Sequence, residues 1–168
     1  MIYGEITLDQ GNLKLSKNAQ IGGVSQEAPG SSVTLLDTVL ASDRERVDLL
    51  QKAEEEKDPL KIAEIQTRLV DIDAWSAEAR ASTILNGLGF DKHKQRLACS
   101  EFSGGWRMRV ALAAVLFSKP DLLLLDEPSN YLDLEGTIWL QAYISKYPST
   151  IILISHDRSL LNLSLIHI

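Results

Sequence analysis

Two adjacent carboxylates follow a short, wholly apolar run in the last third of the chain. Asp126 and Glu127 come directly after Leu122–Leu125. In open α/β sheets, ligands bind at the C-terminal ends of buried parallel strands. An Asp there can hold Mg²⁺ directly or through water, and the adjacent Glu can polarise a water for attack on a phosphate. The same pair could also simply end the strand in a turn before Pro128.

A second candidate is the tripeptide Ser103-Gly104-Gly105, which opens a helical segment. Glycines let the backbone approach a ligand closely, and a helix N-terminus offers free N–H groups and a positive dipole end. This arrangement suits an anion such as a phosphate. An ordinary N-cap followed by a flexible turn would have the same sequence.

Two further polar side chains follow apolar runs. His156 comes directly after the run Thr150–Ser155, where it could hydrogen-bond a phosphate oxygen or a reacting water. A lone His after a strand is more often structural. Gln26 follows a short predicted strand at 20–24, and taken alone it is the weakest of these signals.

The elements that must position these residues predict an α/β fold. Runs that are apolar on both faces, such as 122–125 and 150–155, fit central strands of a parallel sheet covered on both sides. A helix at 134–145 would connect them, and another is expected at 104–117. Short β-segments are expected near the start of the chain, at 4–8, 14–15 and 20–24.

The middle of the chain is charged and helical in pattern. Ser42 and Asp43 can cap a helix that runs to Lys57, and Pro59 suits the first turn of a second helix. The apolar face of that second helix has helical spacing and consists of Ile62, Ile65, Leu69 and Ile72. A third helix is expected at 76–88. The sequence thus predicts an all-helical insertion inside the α/β domain.

Composition excludes several classes of protein. The 168 residues carry a net charge of −6, which argues against a generic basic nucleic-acid binder. The single cysteine, Cys99, rules out an intrachain disulfide and a CxxC zinc site and is expected to be a small, half-buried residue. No apolar run approaches the roughly 18–20 residues that span a bilayer, so a cytoplasmic location is expected.

Taken together, the motifs form one ordered pattern that resembles the ATP-binding cassette family. Gln26 matches the Q-loop of that family, and Phe102–Trp106 matches its signature motif. Leu122–Glu127 matches Walker B, Ser129–Asp133 matches the D-loop, and His156 matches the switch histidine.

Two stretches narrow the resemblance to the ABC-F subfamily. Residues 103–110 read SGGWRMRV, whereas transporters more often carry Gln after the glycines. Residues 126–133 read DEPSNYLD and are similar to the ABC-F form DEPTNHLD, with Ser129 for Thr and Tyr131 for His. The stretch 75–90 looks like the first of the two cassettes in such proteins.

The resemblance implies a role for each matched residue, with ATP and Mg²⁺ as cofactors. Glu127 would be the general base, and His156 would contact the γ-phosphate. Asp126 would support the magnesium ion, and Gln26 would join its shell. The residues that would act on the ATP of an opposing cassette, or couple the two sites, are Ser103, Gly104, Gly105 and Asp133.

The resemblance also implies a division of the chain and a set of partners. Residues 1–34 would be part of the nucleotide-binding core, 35–100 a helical subdomain with an arm at about 42–73, and 101–168 the signature, Walker B and switch region. A second cassette, the ribosome, rRNA and tRNA would be partners, with no membrane. An ordinary helical subdomain with solvated charges would fit residues 42–73 equally well.

Other functions remain to be weighed against this one. A transporter cassette is the main alternative, but Trp106-Arg107-Met108-Arg109 and the helical insertion count against it. A DNA-repair ATPase with long coiled coils is disfavoured, because no sustained heptads occur between Gln26 and Ser103. A non-enzymatic binding fragment is the fourth possibility.

The P-loop of the family, Gly-x-x-x-x-Gly-Lys-Ser/Thr, is absent from the sequence. That loop supplies backbone N–H groups and a Lys to the β- and γ-phosphates. We therefore expect a cassette fragment with an internal start and an atypical end at 163–168, which binds ATP very weakly by itself.

Overall fold

Three parallel strands form the sheet that carries the site. A computed structural model describes residue 16 and residues 19–24, 30–157 and 160–161. Strands β1 (Ile21–Gly23), β2 (Leu122–Asp126) and β3 (Thr150–Ile154) lie side by side in the order β1-β2-β3. Gln26 and the β-segments expected at 4–8 and 14–15 lie outside the described residues. The three predicted strands within the described residues are confirmed.

Six α-helices surround or extend from this sheet within the described part of the chain. They are α1 (Leu35–Leu40), α2 (Arg44–Glu55), α3 (Pro59–Asp71), α4 (Ala77–Gly87), α5 (Gly104–Ser118) and α6 (Leu134–Ile144). Of the two caps expected for α2, Asp43 is the N-cap residue, whereas the Ser42 hydroxyl donates to the carbonyls of Val39 and Ala114. The carboxylate of Asp43 accepts from the N–H of Arg46 at 3.1 Å, and that of Asp58 accepts from Leu60 at 3.0 Å. The helices predicted from sequence are confirmed to within two residues at each end.

One apolar core joins the helical part to the sheet. Leu123 and Leu125 of β2 are buried in the same cluster as Leu85 of α4 and Leu116 of α5. Cys99 belongs to this cluster and is fully buried, so the expectation of a half-buried cysteine was wrong. The shared core packs these helices directly against the strand that ends at Asp126.

Strand β3 departs from the expected pattern. Both faces were expected to be covered, yet Ile152 is 43% exposed and Ile154 is 58% exposed. The other face, with Ile151 and Leu153, packs against the core. The run is apolar throughout, as a strand covered on both sides would be, but the described residues supply cover for one face only.

Helices α2 and α3 pack against each other as a hairpin with little burial. Helix α2 has no buried residue, and α3 has one, Leu69. Arg68 of α3 pairs with Glu45 of α2 at 2.7 Å across the hairpin. The hairpin falls inside the range 42–73 that the sequence suggested as an arm, while the division of the chain at 34 and 100 stays a prediction.

Candidate functional site

Glu127 stands at the C-terminal end of β2 in an unusual backbone conformation. Its φ is 45° and its ψ is 51°, in the left-handed region that non-glycine residues rarely adopt. Its N–H donates to the carbonyl of Ile154 on β3 at 2.8 Å. Pro128 then begins a short 3₁₀ turn, Pro128–Tyr131. The turn and the strand pairing together fix where the carboxylate points.

The Glu127 carboxylate faces His156, as two contacts show. Oε2 accepts a hydrogen bond from the backbone N–H of His156 at 3.2 Å. Oε1 lies 3.3 Å from Nε2 of the imidazole, yet this buried oxygen makes no hydrogen bond of good geometry. The His156 side chain is fully exposed. Oε1 is thus buried without a hydrogen-bond partner, beside an imidazole that is open to solvent.

Asp126 is the last residue of β2, in register with Ile154, and its side chain is exposed. Among the described residues, no group of three or more His, Cys, Asp or Glu side chains could enclose a metal ion. Mg²⁺ in phosphate sites needs only one or two protein carboxylates, because waters and phosphate oxygens complete its shell. The exposed carboxylate of Asp126 fits a magnesium ion of that kind.

The backbone at Ser103-Gly104-Gly105 leads into α5. Ser103 is the N-cap residue with extended dihedrals, and its side chain makes no capping hydrogen bond. A Cβ added to Gly104 or Gly105 would meet nothing within 4 Å. The fold of the described residues therefore does not require glycine at either position. Open space above free helix N–H groups suits an anion that approaches from outside.

Asp133 begins α6 and is held by two groups. Its Oδ1 accepts from the N–H of Gly136 at 2.9 Å, and its Oδ2 lies 3.0 Å from Nη1 of Arg109. These two hydrogen bonds, the Gly136 bond foremost, lower the pKa of the Asp133 carboxyl from its usual value. Asp133 is thus held as a carboxylate at the start of α6.

Arg109 joins three parts of the chain, and sequence reasoning assigned it no role. From α5 it donates to the carbonyl of Tyr131 through Nε and to that of Leu88 at 3.3 Å through Nη1, besides pairing with Asp133. Its guanidinium also lies over the Trp106 ring, 4.5 Å from the centroid. The helical spacing of Trp106 and Arg109 was the available signal, because residues three apart on a helix are neighbours.

Trp106 is surrounded by groups that fix its ring. Its indole meets Phe90 edge-on at 5.1 Å, and the ammonium of Lys94 lies 5.1 Å from its centroid. Phe102 lies 6.4 Å away at an angle. The residue that follows the glycines is therefore a packing anchor for the first turn of α5.

The structure brings together three of the predicted site residues, Asp126, Glu127 and His156, at one edge of the sheet. It links Asp133 to α5, the helix that begins directly after Ser103, through Arg109. No measured contact within the described residues joins Ser103, Gly104 or Gly105 to the carboxylates. Gln26 lies outside the described residues, so its expected part in the site stays a prediction.

Comparison with known proteins decides the family. The ABC transporter family profile matches residues 1–130. The chain belongs to the ABC transporter family. Two of the relatives described next carry the F designation of that family in their names.

Several curated relatives share nearly half of its residues. ATP-binding cassette sub-family F member 3 of Homo sapiens is 44% identical over 162 residues, which is 90% of this chain and 23% of the relative. Probable ATP-binding protein YheS of Escherichia coli (strain K12) is 44% identical over 165 residues, which is 96% of this chain and 26% of the relative. ABC transporter F family member 3 of Arabidopsis thaliana is 45% identical over 170 residues, which is 86% of this chain and 24% of the relative. The chain spans about a quarter of the length of these relatives.

Solved structures confirm the fold. An ATP-binding cassette in a dimeric, post-hydrolysis state with ADP and Pi has a TM-score of 0.55 at 20% identity, covering 86% of this chain and 56% of that one. An archaeal ribosome recycling factor in complex with a ribosomal stalk protein has a TM-score of 0.61 at 20% identity, covering 96% and 26%. The α/β cassette with a helical subdomain, predicted from the motifs, is the observed fold. Within the described residues, every helix is too short or too polar to cross a bilayer.

Proposed function

We propose that this chain is one cassette of an ABC-F ATPase whose ATP binding and hydrolysis are coupled to translation on the ribosome. The observation that carries the ATPase part is the Glu127 carboxylate, with one buried oxygen unbonded and an exposed imidazole 3.3 Å away. A base that must orient a water needs such a free oxygen in hydrogen-bonding reach.

Each site residue has a distinct task in this proposal. Glu127 accepts a hydrogen bond from the attacking water through Oε1, while the backbone N–H of His156 holds Oε2 in place. The exposed His156 side chain donates to a γ-phosphate oxygen. Phosphoryl transfer asks mainly for positioning and charge stabilisation, and the left-handed turn at Glu127 supplies the positioning.

Magnesium and a second cassette complete the proposed site. Asp126 would hold the ion, directly or through water, and the ion would neutralise charge on the phosphate oxygens. Ser103, Gly104 and Gly105 would close on the nucleotide held by the second cassette. The open space around both glycines supports this, because the described residues leave that space unfilled.

The α2–α3 hairpin is the proposed contact with the ribosome. Helix α2 has no fully buried residue, and α3 exposes Leu60 and Val70 to solvent. Residues 42–73 contain ten acidic and six basic side chains. Because acidic side chains outnumber basic ones, we expect the hairpin to contact ribosomal protein, with a few basic side chains reaching rRNA. A surface that binds phosphates generally would carry an excess of basic residues.

Ribosome sedimentation with a two-cassette protein that contains this chain would test the proposal. Glu127→Gln should slow ATP hydrolysis, so that the protein stays in its ATP-bound state for longer. More of this variant should then co-sediment with ribosomes in ATP than in ADP. Replacing residues 44–71 with a short linker should abolish co-sedimentation while leaving ATP hydrolysis in place. Co-purification with membranes, together with no nucleotide-dependent ribosome binding, would instead support a transporter cassette.

A further inference from the structure

A groove with aromatic walls lies between α4 and the C-terminal half of α6. Its volume is about 540 Å³. The side chains that define it are Ile84, Lys119, Trp139, Tyr143, Lys146 and Tyr147. Asp133 caps the opposite end of α6, and eleven residues of helix span about 16 Å. The groove is therefore separate from the carboxylate site.

The walls of the groove are fixed before anything binds. Trp139 lies so close to α4 that a Cβ on Gly87 would come within 2.0 Å of its ring. Trp139 also stacks on Tyr143 with centroids 5.2 Å apart. The hydroxyl of Tyr143 donates to the carbonyl of Leu116 at 3.0 Å, and that of Tyr147 to Pro120 at 2.8 Å. A preorganised apolar surface loses little conformational entropy on binding.

The charge of the groove is opposite to that of the chain. Lys119 and Lys146 are its charged lining residues, whereas the whole chain carries a net charge of −6. Within the described residues, neither ammonium lies in an ion pair. Two unpaired cations beside an apolar floor complement an anionic partner that also carries apolar groups.

We propose that this groove docks an acidic peptide segment whose apolar side chains lie on the aromatic floor, while its carboxylates pair with Lys119 and Lys146. A peptide fits better than single-stranded RNA. RNA bases stack on free aromatic faces, and the RNA backbone follows a row of several cations. In this groove Trp139 and Tyr143 stack on each other, and only two lysines are among the lining residues. A peptide in a groove between two helices is also a recurrent mode of recognition.

Selection from a random peptide library on the immobilised chain would identify the preferred ligand chemistry without any nucleotide. We expect the enriched peptides to combine Asp or Glu with Leu, Ile or Phe. Their affinity for Lys119→Glu/Lys146→Glu should be at least tenfold weaker than for the wild type, and Lys52→Glu/Lys92→Glu should bind as the wild type does. The latter pair changes the net charge equally at sites away from the groove.

A second variant separates lost binding from lost folding. Ala142 is exposed on the groove wall, so Ala142→Glu should fold normally, with an unchanged denaturation midpoint, and still lose at least tenfold in peptide affinity. The proposal is overturned if no peptide is enriched, if the enriched peptides lack acidic residues, or if they bind these variants and the wild type equally well. It is also overturned if the groove instead binds oligo(U) RNA or mediates self-association, measured by fluorescence anisotropy and sedimentation velocity with the same variants.

Discussion

Arg109 on α5 lies 3.0 Å from the carboxylate of Asp133, the residue that caps α6. The same guanidinium reaches the carbonyl of Tyr131 in the intervening 3₁₀ turn. Only 12% of the Arg109 side chain is exposed, against 56% for Asp133. The helix that opens at the two glycines and the turn that follows Glu127 are thus held by one side chain.

Removing that side chain should loosen the turn. Arg109→Gln leaves the carbonyls of Tyr131 and Leu88 without their donor and breaks the pair with Asp133, so we expect the free energy of unfolding to fall by about 1–2 kcal/mol. Urea denaturation of the wild-type and variant chains measures this change in the free energy of unfolding. Arg44→Gln, an exposed arginine without a pair in the described residues, is the matched control. Equal stability of the two variants would show that the Arg109 contacts are not stabilising.

The charge of Asp133 should make stability depend on pH. Because its pKa in the folded chain is lowered, its contribution is fully present above the ordinary Asp pKa of about 4 and is lost as the pH falls through the lower folded value. The difference in unfolding free energy between wild type and Asp133→Asn should be constant above about pH 5 and shrink at lower pH. A difference that does not change down to about pH 2 would contradict the lowered pKa.

Three glycines should respond in opposite ways to the same substitution. Gly87→Ala drives a methyl group into the ring of Trp139 and should destabilise the chain by about 1–3 kcal/mol. Gly104→Ala and Gly105→Ala meet open space and should keep or slightly raise stability. In the two-cassette protein, these last two variants should still lower ATP hydrolysis. Destabilisation by Gly105→Ala would mean that the glycine serves folding.

Loss of the proposed base should separate binding from chemistry. In a two-cassette protein, Glu127→Gln should lower the rate of phosphate release at that site by about 10²–10⁴-fold, with nucleotide binding retained. Glu135→Gln, an exposed carboxylate in the first turn of α6, should hydrolyse ATP as the wild type does. Phosphate release and fluorescent-nucleotide titration measure the two effects. A Glu127→Gln variant with the wild-type rate would remove Glu127 from the mechanism.

The 168-residue chain itself should bind nucleotide poorly. It contains Asp126, Glu127 and His156 but no P-loop sequence to supply N–H groups and a Lys to the phosphates. Isothermal titration with Mg-ATP should therefore detect no tight binding, and no phosphate release should be measurable. Tight binding by the isolated chain would show that other residues hold the phosphates.

Much of the fold was predictable because local signals agreed with it. Asp58 before Pro59 gives the start of α3, and the apolar spacing of that helix gives its packed face. The run before Asp126 gives β2. In each case the residues that decide the structure lie within a few positions of one another, so the sequence alone contains the information.

Features that depend on distant residues were not predictable. The exposed face of β3 at Ile152 depends on which elements cover it, and a uniformly apolar run does not show this. The role of Arg109 depends on the approach of Asp133, 24 positions away. The contact between Gly87 and Trp139 likewise appears only when α4 and α6 pack together. Tertiary packing, rather than local propensity, determines all three.

The left-handed backbone at Glu127 implies a conflict between stability and activity at that position. Glycine or asparagine adopts such dihedrals more readily than glutamate does, and strain of this kind costs about 1–3 kcal/mol. Selection for a stable fold alone would thus tend to replace Glu127. Directed evolution of this cassette for heat resistance, without a demand for ATP turnover, should therefore lose the carboxylate at Glu127 early and gain stability by doing so.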